Sequence, residues 1–100
     1  MSVDLPAWAH IGDLTVEGRA LDVSQGGLRL AAPLPAGSTT VDVELCLPDA
    51  DTPLYLTGEV RWTDEHGQPG TGIRFAVPPP HDRRRLANFV LRRSAHFTSR

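Results

Sequence analysis

Residues 19–30 read Arg19-Ala20-Leu21-Asp22-Val23-Ser24-Gln25-Gly26-Gly27-Leu28-Arg29-Leu30. Apolar residues flank a centre built from Asp, Ser, Gln and two adjacent glycines. Asp and Ser side chains bond nearby backbone N–H groups, and Gly accepts backbone angles that other residues resist. On residue types alone the segment reads as a turn or bulge joining two short strands.

Upstream, Leu14 to Val23 reads as a strand leading into this turn, with Gly18 allowing a bulge. Gly12-Asp13 reads as a tighter turn. Ala7 to Ile11 reads as a first short strand anchored by Trp8, and residues 1–6 as a loose end, because Pro6 interrupts regular pairing. Downstream, Leu28 and Leu30 alternate with Arg29, and Ala32 to Gly37 is a proline-punctuated connection. Val41, Val43, Leu45 and Leu47 then share one parity, with Asp42, Glu44 and Cys46 on the other. That period of two gives one face to a core and one to solvent.

Pro48 to Pro53 reads as a turn-rich loop of hairpin type. In the next strand Leu54, Leu56, Val60 and Trp62 point one way, and Tyr55, Thr57, Glu59 and Arg61 the other. Asp64 to Gly70 is a polar loop, followed by a strand from Thr71 to Val77 with Ile73, Phe75 and Val77 inward. Pro78-Pro79-Pro80 ends the sheet, since proline donates no ladder hydrogen bond. Asp82 reads as a helix N-cap, and residues 83–93 as a helix with Leu86, Phe89, Val90 and Arg93 at helical spacing. The expected fold is therefore mainly β, a small antiparallel β-barrel whose mouth a C-terminal α-helix covers. One domain spans residues 1–100.

Ten basic and twelve acidic side chains give a formal net charge of −2. Such a chain has no overall positive field to gather nucleic acid. Cys46 is the sole cysteine, so neither a disulfide framework nor a thiolate metal site is expected; a structural thiol is. No run reaches the length of a membrane helix and no leader pattern opens the chain, so membrane insertion is not expected and a cytoplasmic location is.

Asp22-x-Ser24-x-x-Gly27 resembles the second signature of the PilZ family, small bacterial β-barrel domains that commonly sense cyclic di-GMP. Gly27-Leu28-Arg29-Leu30, Val41 to Leu45, Gly58 to Trp62 and Gly72-Ile73-Arg74-Phe75 resemble the family's following strands in their usual order, over roughly Thr15 to Arg93. The family's other signature, two arginines separated by three residues N-terminal to the turn, is missing: Met1 to Leu21 contain Arg19 alone.

The resemblance implies that Asp22 and Ser24 contact a guanine nucleotide and that Gly27 lets the backbone approach it. The missing arginines would clamp phosphates and stack on guanine, tasks suited to a planar, forked, permanent cation. Among possible substitutes, Arg29, Arg61 and Arg74 fall on the outward parity of their strands, and Arg19 lies three residues before Asp22. Arg19 and Arg74 join Asp22, Ser24 and Gly27 as candidate ligand-binding residues. The alternative for these arginines is a solvated surface paired with Glu17, Glu44 or Glu59.

Arg83-Arg84-Arg85 and Arg92-Arg93 make the C-terminal segment basic, either as a solvated helix face or as a surface for a phosphate or an acidic partner. Arg93 on the apolar stripe can lay its stem across Phe89 or Val90. His10, His66, His81 and His96 lack metal-ligand spacing, and neither Gly-x-Ser-x-Gly nor a phosphate-binding glycine loop is present. Trp8, Trp62 and Phe75 read as core or rim aromatics, or alternatively as a stacking platform for bases. No enzyme and no cofactor are expected. Two functions remain: a cyclic di-GMP receptor with a degenerate site, or a ligand-independent adaptor. Either implies an unidentified protein partner, in motility or surface-attachment signalling as the family suggests.

Overall fold

A computed structural model describes residues 2–35, 37–48, 50–64 and 69–98, with side chains through residue 93. Strands β1 (Ser2–Ile11), β2 (Leu14–Val23), β3 (Gly27–Leu30), β4 (Thr40–Leu45), β5 (Leu54–Asp64) and β6 (Gly70–Phe75) precede one helix, α1 (Pro80–Thr98). All neighbouring strands are antiparallel and close into a barrel in the order β1-β2-β3-β6-β5-β4. Because the strands alternate in direction, the β2–β3 turn, the β4–β5 connection and the exit from β6 into α1 share one end.

The period-two pattern fills the interior as expected. Val41, Val43 and Leu45 from β4 meet Leu54 and Leu56 from β5, Leu28 and Leu30 from β3, and Ile73 from β6, all buried. Leu34, from the β3–β4 connection, plugs the end away from the helix. Its N–H donates to Thr71 Oγ1 at 3.2 Å, and that hydroxyl donates to the Ala32 carbonyl at 2.8 Å. The fully buried Thr71 thus satisfies two backbone groups that burial would otherwise orphan. At the other end Leu86 of α1 is buried, with Phe89 and Val90 packed beside it.

Several local readings change. Residues 2–6 belong to β1 and are not loose: Leu5 is in the core. Pro6 is tolerated because β4 pairs only from Ala7 onward, so its missing N–H lies beyond that ladder, while its carbonyl accepts from Cys46 N at 3.0 Å. Leu5, Ala7 and Ala9 point inward, so Trp8 lies half-buried on the outer surface between Glu17 and Glu44. Gly18 makes no bulge. It pairs regularly with Ala7, and a Cβ there would sit 3.2 Å from Leu30 Cδ1, so its role is to leave room for that core leucine. The bulge of β2 against β3 falls at Leu21, between Ala20 and Asp22.

β6 stops at Phe75 and Val77 is 81% exposed, because the chain must leave the barrel to start the helix. α1 begins at Pro80, three residues before the expected start. Proline suits a first helical position, where its N–H is not needed. Asp82 lies within the first turn, where its charge favours the helix N-terminus, and does not cap it. The Gly12-Asp13 turn holds: Gly12 has φ 58° and Asp13 does not, the pattern of a type II′ hairpin. Of the polar loop expected at Asp64 to Gly70, residues 65–68 lie outside the described residues, as do His66 and the side chain of His96.

Candidate functional site

The Asp22–Gly27 turn is held from both sides. Ser24 N donates to the Gly27 carbonyl at 2.9 Å, Gly26 N donates to Ser24 Oγ at 3.2 Å, and Ser24 Oγ donates to the Gly27 carbonyl at 3.3 Å. Phe75 N donates to the Gly26 carbonyl at 2.8 Å, tying the turn to β6. Ser24 is thus first of all the residue that shapes the turn. Gly27 faces Arg74 across the β3–β6 ladder, and a Cβ on it would collide with the Ile73 carbonyl. That glycine is required by the close approach of β3 to β6.

The neighbouring outer surface is a depression of about 540 Å³ bounded by Asp22, Ser24, Arg29, Arg61, Trp62 and Arg74, within the broad range of ligand pockets, roughly 300–1,000 Å³. Register explains the grouping. Asp22 pairs with Arg29, Arg29 with Gly72, and Gly72 with Trp62, a row running across four strands. Arg74 lies one row nearer the turn, between Gly27 and Glu59. Arg29 is half-buried, its Nε 3.5 Å from where a Cβ of Gly70 would stand, whereas Arg61 and Arg74 are exposed. Three guanidiniums and one carboxylate therefore line a shallow wall.

Trp62 corrects the simple parity of β5. Val60 pairs with Ile73 but Trp62 with Gly72, so Arg61 is an extra residue in β5. Gly72 alternates with the inward Thr71 and Ile73 and hence faces out, and the bulge carries Trp62 to that same outer face. There its indole lies on Gly72, so closely that a Cβ would strike the ring, and the side chain remains 47% exposed.

Of the residues expected at the site, Asp22, Ser24, Gly27 and Arg74 come together here. Arg19 does not line the depression. Its Nε donates to Asp4 Oδ1 at 2.7 Å and its Nη2 to the Asp4 carbonyl at 3.2 Å. Arg29 and Arg61, weighed as substitutes, line the depression. Trp62, read from sequence as a core or rim aromatic with a stacking platform as the alternative, lies on the outer face because a bulge reverses parity without a distinctive residue. The opposing Gly70-x-Gly72 was the available signal, since small residues leave room for a ring. Among the described residues no group of three or more His, Cys, Asp or Glu could hold a metal ion, and no helix is long and apolar enough to cross a membrane.

A closed six-stranded antiparallel barrel with a C-terminal helix, carrying an arginine-lined depression beside an Asp-x-Ser-x-x-Gly turn, is the architecture of a small β-barrel domain. The chain belongs to the PilZ family: the PilZ domain model matches residues 1–92. PilZ domains are a cyclic di-GMP receptor family. The structure is similar to that of the Bacillus subtilis inhibitor of motility MotI/DgrA, with TM-score 0.74 and 14% identity over 96% of this chain and 49% of that one. It is also similar to the PilZ domain of CeSA from a cellulose-synthesizing bacterium, with TM-score 0.70 and 18% identity over 91% of this chain and 93% of that one. This chain thus spans about half the length of MotI/DgrA. No curated protein matches it in sequence.

Proposed function

We propose that this chain is a cyclic di-GMP receptor in which Arg29, Arg61, Arg74 and Trp62 take over work that the missing N-terminal arginine pair would do. The observation that carries the reading is their convergence on the depression that Asp22, Ser24 and Gly27 border. The ligand has two phosphates and two guanines. Exposed guanidiniums of Arg61 and Arg74 offer forked donors to phosphate oxygens. The exposed face of Trp62 offers a guanine a stacking surface, worth about 1–3 kcal/mol per base. Asp22 offers a carboxylate to the N–H edge of guanine, and Ser24 keeps the turn in shape. In this reading the output passes to a protein partner.

A ligand-independent adaptor is the second reading. It is favoured by the absence of an arginine pair in residues 1–21 and by the engagement of Arg19 with Asp4. The similarity to a solved inhibitor of motility supports motility signalling as the setting of such an adaptor.

Tryptophan fluorescence separates the two. In a Trp8→Phe background, which leaves Trp62 as the only indole, cyclic di-GMP is expected to change the emission saturably, and Asp22→Ala to suppress the change. An emission spectrum indifferent to cyclic di-GMP, together with no displacement of a labelled analogue, would favour the adaptor.

A further inference from the structure

The end of the barrel that carries α1 holds a second groove, of about 280 Å³, between the helix and the β4–β5 connection. It shares no residue with the depression at Asp22–Gly27. Leu47 and Phe89, both half-buried, supply apolar walls, and Arg85, Arg92 and Arg93 rise around them. α1 carries five arginines and one aspartate, so its basic character contrasts with a chain whose net charge is −2.

The three arginines divide the labour. Arg85 Nη2 donates to the Thr52 carbonyl at 2.7 Å and Nη1 to the Pro53 carbonyl at 3.3 Å, which pins the β4–β5 connection to the helix. The groove is therefore formed before any partner arrives. Arg93 rests its guanidinium 5.8 Å from the Phe89 ring centroid, a cation–π distance that holds the charge at the groove. Arg92 and Arg93 are exposed, and among the described residues no ion pair engages either. Their five-donor, planar heads match carboxylates in a two-point manner that lysine cannot reproduce.

We infer that this groove docks a short acidic segment of a partner protein, with one apolar side chain of the segment against Leu47 and Phe89 and its carboxylates on Arg92 and Arg93. Charge complementarity selects the occupant: apolar contact alone would leave two guanidiniums without a role, and a simple anion would leave the walls unfilled. The inference stands independently of nucleotide binding.

The test is fluorescence anisotropy of a dye-labelled synthetic peptide of Glu and Asp with one central Leu, titrated with the intact chain. Saturable binding is expected, weakened about tenfold or more in Arg92→Glu/Arg93→Glu, and similarly when the peptide's Leu is changed to Ser. Arg83→Glu/Arg84→Glu makes the same charge change on the same helix outside the groove and should stay within about threefold of wild type. Circular dichroism verifies that both variants are folded. Equal weakening by the two variants would reduce the effect to diffuse charge and overturn the inference. So would absence of peptide binding, Arg92/Arg93-dependent capture of phosphatidylglycerol vesicles without peptide binding, or self-association abolished by Arg92→Glu/Arg93→Glu.

Discussion

Gly26 and Gly27 look interchangeable on paper, yet they do different things. A Cβ on Gly26 meets nothing within 4 Å, while one on Gly27 runs into the β6 backbone. Neither has positive φ, so the difference is one of space and not of backbone angle. Gly27→Ala should cost about 1–3 kcal/mol of stability through overpacking, and Gly26→Ala should be neutral or slightly stabilising; chemical denaturation reads both. Equal midpoints would sink the close-approach explanation. Gly72→Ala should push Trp62 off its seat and, in a Trp8→Phe background, shift its emission toward that of a solvated indole. An unchanged spectrum would mean that the indole does not rest on Gly72. The sequence shows Asp22, Ser24 and Gly27 plainly, because their types and spacing are local. It does not show that Arg19 turns to Asp4, a contact that depends on the pairing of β1 with β2.

At the scale of elements, the strands were readable where side chains alternate without interruption. β4 is the clearest, with its inward valines and leucine. Parity fails at Leu21 and Arg61, where an extra residue enters one strand only, and the failure at Arg61 moves an aromatic from core to site. Of the N-terminal strand, Ala7 to Ile11 was legible and residues 2–6 were obscured by Pro6, while the small inward Ala7 and Ala9 give too little hydropathic contrast to show which face meets the core. Thr71 and Leu86 test how the two ends are closed. Thr71→Val keeps the shape but orphans the Leu34 N–H and the Ala32 carbonyl, and should cost about 1–3 kcal/mol. Leu86→Ala should cost about 2–5 kcal/mol by opening a cavity beneath α1. A Thr71→Val midpoint equal to wild type in urea would show that the β3–β4 connection is held by other contacts.

Over the whole molecule, the arginines are distributed unevenly. Arg29, Arg61 and Arg74 gather beside the turn, and Arg83 to Arg85 with Arg92 and Arg93 lie on the helix. The first group comes from three different strands, so its convergence was invisible to motif spacing even though each outward parity was readable. If these cations, of which Arg61 and Arg74 are exposed, replace the missing pair, affinity for cyclic di-GMP should be weak and fall steeply with salt, since exposed charges are screened within about 10 Å at 0.1 M ionic strength. The most direct measurement is calorimetric titration of the chain with cyclic di-GMP at low and moderate salt, with Arg61→Ala/Arg74→Ala alongside. The receptor account predicts saturable heat at low salt, weaker binding at moderate salt, and loss of binding in the double variant. Tight binding that ignores both salt and the substitution would contradict it, as would no binding of the wild-type chain at either salt.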